Sequence, residues 1–76
     1  MTASILADRL RAAREARGLS QSRLARLADV ATSTVNRIER GERIPRVDVL
    51  ARLAAELGVS VDDLLAPHRR RRRAAA

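Results

Sequence analysis

The stretch 21–40, QSRLARLADVATSTVNRIER, limits the possible folds more than any other part of the chain. Leu24, Ala25 and Ala28 fall at i, i+1 and i+4, the spacing of one helix face. Val35 and Ile38, three residues apart, mark the inward face of a second helix. Only Asp29, Val30 and Ala31 lie between them, so the connection is a tight turn. Two helices joined this way at a steep angle form the unit that sets its second helix in the major groove of DNA.

The turn has its own chemistry. Ala25 falls where the two helices approach most closely, and a larger side chain would force them apart. Val30 is apolar in mid-turn and is expected to plug the gap beneath the pair. Asp29 stands where the chain leaves one helix and reverses, a position that calls for positive φ. Glycine fits there most easily, and aspartate tolerates the left-handed region better than most residues.

The flanking sequence continues in helices. Residues 1–4 read as a short lead with Thr2 or Ser4 as cap, followed by a helix over 5–17 carrying Leu6, Leu10 and Ala13 inward. Gly18 ends that helix, and Ser20 caps the next. The third helix is expected over 32–40, closed by Gly41. Pro45 suits the first turn of a fourth helix with the stripe Val49, Leu50, Leu53, Ala54 and Leu57, ended by Gly58. Ser60 caps a short fifth helix, where Asp62 and Asp63 favour the positive end. Leu64 and Leu65 close the core, and Pro67 stops the helix. The tail 67–76 is expected to be disordered.

Taken together, Arg9-Leu10-Arg11, Arg14, Gly18-Leu19-Ser20-Gln21, Leu24-Ala25, Val30, Val35, Arg37-Ile38-Glu39-Arg40-Gly41-Glu42, Pro45, Leu50, Leu53-Ala54, Leu57-Gly58-Val59-Ser60 and Leu64-Leu65 form one pattern. It resembles the phage-repressor and Cro type of helix-turn-helix protein, also called XRE-type, over about 6–65. The resemblance implies an all-α, five-helix, lambda-repressor-like domain over 1–66 that binds double-stranded DNA and regulates transcription. It implies base contacts from Thr32, Ser33 and Arg37, and a backbone clamp at Gln21 that can also touch the third helix. It also implies a partly buried ion pair between Arg14 and Glu39. The chain departs from the pattern in three ways. Asp29 replaces the usual glycine, Ser22 and Arg23 stand where acids are common, and Ala31 replaces a Ser or Thr cap. Thr32 or Ser33 is then expected to take the cap role.

The residues themselves allow a wider set of contacts. Thr32, Ser33, Thr34, Asn36 and Arg37 occupy the front and outer face of the third helix, and none follows the core period. Arginine can grip guanine with two hydrogen bonds, and asparagine can do the same to adenine. Without the surrounding motif the same face would read as merely solvated. Gln21 and Ser22 open the second helix, where unpaired N–H groups suit a phosphate. Arg40, Arg43 and Arg46 are further phosphate candidates, which set register and affinity but not sequence preference.

Charge and composition narrow the function. The net charge is +7, and all sixteen basic residues are arginine. Five of these, Arg69, Arg70, Arg71, Arg72 and Arg73, form one run, which leaves eleven arginines against nine acids elsewhere, or +2. Any field aimed at DNA must therefore come from arrangement. The run itself is either an arm that neutralises extra phosphates or a solubilising end. The chain has no Trp, Tyr or Phe, which removes the base-stacking surfaces of single-strand and RNA modules. It has no Cys, and its one His carries no expected metal or catalytic role. No catalytic set is visible, so no enzyme and no cofactor is expected. No apolar run reaches membrane length and no signal peptide is visible, so a cytoplasmic, nucleoid-associated protein is expected.

A homodimer on a two-fold operator is the family pattern, with helix five as the expected contact through Val59, Val61, Leu64 and Leu65. The alternatives are an antitoxin with a protein toxin as partner, or an interaction domain that no longer reads DNA.

Overall fold

The four longer helices all end in the same way. The computed structural model describes residues 2–65, and the helices are α1 (Thr2–Ala16), α2 (Gln21–Ala28), α3 (Thr32–Glu39), α4 (Val47–Leu57) and α5 (Val61–Leu65). Each of the first four is followed within two residues by a residue of positive φ: Gly18 at 68°, Asp29 at 61°, Gly41 at 75° and Gly58 at 72°. The next N–H then bonds back five residues: Leu19 to the Arg14 carbonyl at 3.1 Å, Val30 to Ala25 at 2.9 Å, Glu42 to Arg37 at 2.9 Å and Val59 to Ala54 at 3.1 Å. This is the Schellman arrangement, which satisfies carbonyls the helix leaves free. Leu19, Val30 and Val59 then pack against the core, so each of these turns also places a plug.

At two of these positions the backbone decides the residue. Asp29 adopts φ 61° and ψ 47°, the left-handed conformation expected of it in the turn. Gly58 is hemmed in by a neighbour: a Cβ there would sit 2.9 Å from Arg17 Nη1. That guanidinium donates to the Leu57 carbonyl at 3.2 Å.

The core gathers side chains from all five helices. Leu6, Leu10, Leu24, Val35, Ile38 and Leu53 have no exposed surface, and Leu64 is 1 % exposed. Ala25 is buried where α2 meets α3, as the close approach requires. α2 packs on α3 and α4, α1 on α3 and α5, and α4 on α5. Ser60 and Asp63 hold the start of α5 reciprocally: each backbone N–H donates to the other side chain at 3.0 Å. The bonds from Ser60, with some help from Arg9, hold the Asp63 carboxyl below its ordinary pKa. This lock stands at neutral pH and opens only as the pH falls through that lowered value.

Several sequence expectations shift. α1 begins at Thr2, ahead of the start expected at 5, and ends at Ala16. α3 ends at Glu39, with Arg40 as its cap. Pro45 precedes the cap of α4 instead of opening the helix; Arg46 takes the extended cap conformation and the Pro45 ring is buried. Around α5, Leu64 is buried, while Val59, Val61 and Leu65 pack on the core and stay half-buried. Among the described residues, the exposed large apolar side chains are Leu27, Ile44 and Val47. The arginine run, the Pro67 stop and the expected disorder of the tail lie outside the described residues. No described helix is long and apolar enough to cross a membrane.

Asp29→Gly relieves the left-handed cost and keeps the Arg52 contact, which goes to the Asp29 carbonyl. It should stabilise the domain by about 1 kcal/mol and raise Tm by roughly 4–8 °C in thermal denaturation. An unchanged or lower Tm would show that the aspartate side chain contributes more than its backbone costs.

Candidate nucleic-acid interface

Glu39 is 2 % exposed, the one buried charged residue among those described. α3 carries it at i+4 from Val35, on the inward face, so its carboxylate is driven under α1 and α2. Arg14 meets it with two bonds, Nε to Oε2 at 2.6 Å and Nη2 to Oε1 at 3.0 Å. The third Arg14 nitrogen, Nη1, donates to the Leu19 carbonyl at 2.7 Å. The bond to Glu39 raises the Arg14 pKa above its ordinary value; burial opposes this, and attraction to Glu39 and Glu15 adds to it. Gln21 Nε2 donates to Glu39 Oε1 at 3.0 Å, and Asn36 Nδ2 donates to Gln21 Oε1 at 3.3 Å. Arg11 Nη2 donates to the Glu39 carbonyl at 2.7 Å. The expected Arg14–Glu39 pair is thus the centre of a larger network tying α3 to α1 and α2.

With its inner face locked, α3 turns Thr32, Ser33 and Arg37 to solvent, while Thr34 and Asn36 lie half-buried at its edges. Ala31 is the N-cap, with φ −72° and ψ 144°, and no side chain bonds to the helix start. Neither Thr32 nor Ser33 takes the cap role expected above. The cap must have extended backbone, and both residues are already helical, so neither hydroxyl is spent on the helix start.

The phosphate candidates differ in their surroundings. Gln21 opens α2, and its side chain is engaged with Glu39 and Asn36. Ser22 is exposed, 3.3 Å from the Ser20 hydroxyl. Ser20 caps α2 as expected, accepting from the Arg23 N–H at 3.0 Å. Arg40 pairs with Glu42 at 3.0 Å and Arg46 with Asp48 at 3.6 Å. Both pairs are largely exposed and therefore weak. Arg43 is exposed.

The arrangement of arginines supplies what composition left open. Arg9, Arg11, Arg17 and Arg52 each donate to a main-chain carbonyl near the end of another helix, at Asp63, Glu39, Leu57 and Asp29. With Arg14 on Glu39, five arginines tie one element to another. The other six, Arg23, Arg26, Arg37, Arg40, Arg43 and Arg46, are exposed on α2, α3 and the loop after it. Residues 21–46 carry six arginines against three acids, or +3, and the rest of 5–65 carries five against six, or −1. Sequence reasoning gave Arg11 and Arg26 no role. Arg11 lies three residues before Arg14 on α1, and that spacing was the available signal. Arg23 and Arg26, also three apart, line an open hollow on the outer side of α2 with Ser20 and Ser22.

The helix-turn-helix family model HTH_3 matches residues 10–64. The chain belongs to this family. HTH_3 is the XRE or Cro–C1 type, and the chain is a DNA-binding transcriptional regulator. It is 33 % identical over 69 residues to YazB, an uncharacterized HTH-type transcriptional regulator of Bacillus subtilis (strain 168), covering 91 % of this chain and all of YazB. The crystal structure of the hypothetical transcription factor NHTF from Neisseria superposes with a TM-score of 0.84 at 31 % identity, over 90 % of this chain and 78 % of that one. The restriction-modification controller protein C.AhdI from Aeromonas hydrophila gives 0.78 at 35 % identity, over 82 % and 94 %. The matched span contains the α2–α3 pair and both partners of the Arg14–Glu39 ion pair.

Removing one partner of the buried pair leaves the other charge without compensation. Arg14→Ala or Glu39→Ala should each destabilise the domain by about 3 kcal/mol or more in urea denaturation. Arg14→Met with Glu39→Leu should lie closer to the parent than either single change. A loss below about 0.5 kcal/mol for the single variants would mean the pair behaves as two surface charges.

Proposed function

We propose that the chain is a sequence-specific regulator, a repressor or autoregulator, that places α3 in the major groove of double-stranded DNA. Thr32, Ser33 and Arg37 are the readers, with Thr34 and Asn36 at the edges of the same surface. Arg37 supplies the strongest discrimination, through a two-pronged contact to guanine; the threonine and serine add hydroxyls and a methyl against thymine. The single observation that carries this reading is the two-sidedness of α3. Its inner face is fixed by Glu39, and its outer face is polar and exposed and carries Arg37, with five further exposed arginines on α2 and in the segment after α3.

Phosphates are held at two places. The first N–H groups of α2, at Gln21 and Ser22, lack helix partners and carry partial positive charge. Arg40, Arg43 and Arg46 follow the reading helix and flank it with charge. The exposed bonds to Glu42 and Asp48 are weak enough for Arg40 and Arg46 to exchange them for phosphate. One α3 reads only a few base pairs, so two copies on a two-fold site supply the remaining discrimination. The site of action is the nucleoid in the cytoplasm.

Selection from a pool of randomised duplexes tests this directly. The chain should enrich one short sequence, in two-fold copies, that survives excess random DNA. Arg37→Ala should lose about 1–3 kcal/mol of discrimination at one base pair. Arg43→Ala should weaken every sequence alike and flatten the salt dependence by about one charge. Enrichment that depends on residues 69–73 and not on Arg37 would remove the reading role from α3.

A further inference from the structure

Gln21 and Asn36 are both half-buried on the seam between α2 and α3. Their hydrogen bonds can run in one sense only. A carboxylate accepts and does not donate, so Gln21 turns Nε2 towards Glu39 Oε1, at 3.0 Å. Its Oε1 is thereby left to face Asn36, whose Nδ2 donates to it at 3.3 Å. Asn36 lies four residues after Thr32 and three before Glu39, on the edge of α3 nearest α2. Ser33 and Arg37, also four apart, stand about 100° further round the helix, on the outward side.

We infer that Asn36 is a positioning residue for α3 and not a reader of bases. It sets specificity by holding the helix at one rotation on α2, through Gln21. The inference rests on the DNA-reading function proposed above. The short side chains of Thr32 and Ser33, and the two-pronged geometry available to Arg37, tolerate little rotation of the helix that carries them. Gln21 also opens α2, whose first N–H groups face no helix partner. The residue at the phosphate clamp is therefore the residue that fixes the reading helix. Engagement of the backbone and registration of α3 pass through one side chain.

The test uses the full chain. A preferred duplex is selected from a randomised pool, and affinity is measured for every single-base change in it. Asn36→Ala should lose roughly three- to tenfold affinity for the selected duplex. The loss should be shared by all positions that α3 reads, with non-specific affinity and salt dependence unchanged. The ratio of specific to non-specific affinity is the readout, because loss of folded protein would lower both together. Gln21→Ala combined with Asn36→Ala should lose no more than Gln21→Ala alone, since both break the same chain of bonds. Asn36→Asp removes the donor and should weaken the selected duplex without acquiring a new base preference.

A reader of bases would behave differently. Asn36→Ala would relax one base pair alone. Asn36→Asp would move that pair from adenine to cytosine, because a carboxylate accepts from the cytosine amino group. Either result, or an Asn36→Ala chain equal to the parent, overturns the inference. A parent chain that enriches no sequence overturns the DNA-reading function itself. That failure is seen in the selection step, before any variant is compared.

Discussion

The Glu39 carboxylate is the constraint on which the rest of the structure depends. A charge with 2 % exposure would be strongly destabilising alone, so its surroundings are dictated. Two bonds come from Arg14 on α1 and one from Gln21 on α2, while Arg11 takes the carbonyl of the same residue. These donors have fixed geometry, and the guanidinium fork in particular accepts a carboxylate in one plane. The angle between α3 and its neighbours is therefore set by directional bonds as well as by aliphatic packing. Packing alone would leave a short helix such as α3 freer to rotate, because burial has no direction.

Arginine has two different uses in this molecule. Helix ends carry unsatisfied carbonyls and partial negative charge. Arg9, Arg11, Arg17 and Arg52 each reach such a carbonyl on another helix, so each ties two elements together. Six other arginines, all within 21–46, are exposed. The modest overall excess of 5–65 sits within 21–46, where six arginines face three acids, while the remaining residues carry five arginines against six acids.

Some features were legible because they are local. The helix pair is written in the spacing of Leu24, Ala25, Ala28, Val35 and Ile38, and the left-handed turn in the choice of residues that tolerate it. Ser20 and Ser60 cap the helices they precede for the same local reason. The Arg14–Glu39 pair was legible only through family resemblance, because no rule links positions so far apart. Misjudgements arose where a neighbour decides. Ala31 takes the cap by virtue of its extended backbone although threonine and serine stand beside it. Pro45 is held by packing and not by helix initiation.

Periodicity, caps and turn residues determined by themselves that this chain is a succession of short helices, with one tightly joined pair and a polar outer face on the second. These follow from interactions within a few residues, where sequence distance and spatial distance are nearly the same. Tertiary structure alone decided which arginines face outward, that Gln21 and Asn36 complete the Glu39 network, and where the remaining apolar side chains emerge. Those outcomes depend on how α1, α2, α3 and α4 meet, and a hydrogen bond between helices exists only after packing has brought its donor and acceptor within about 3 Å.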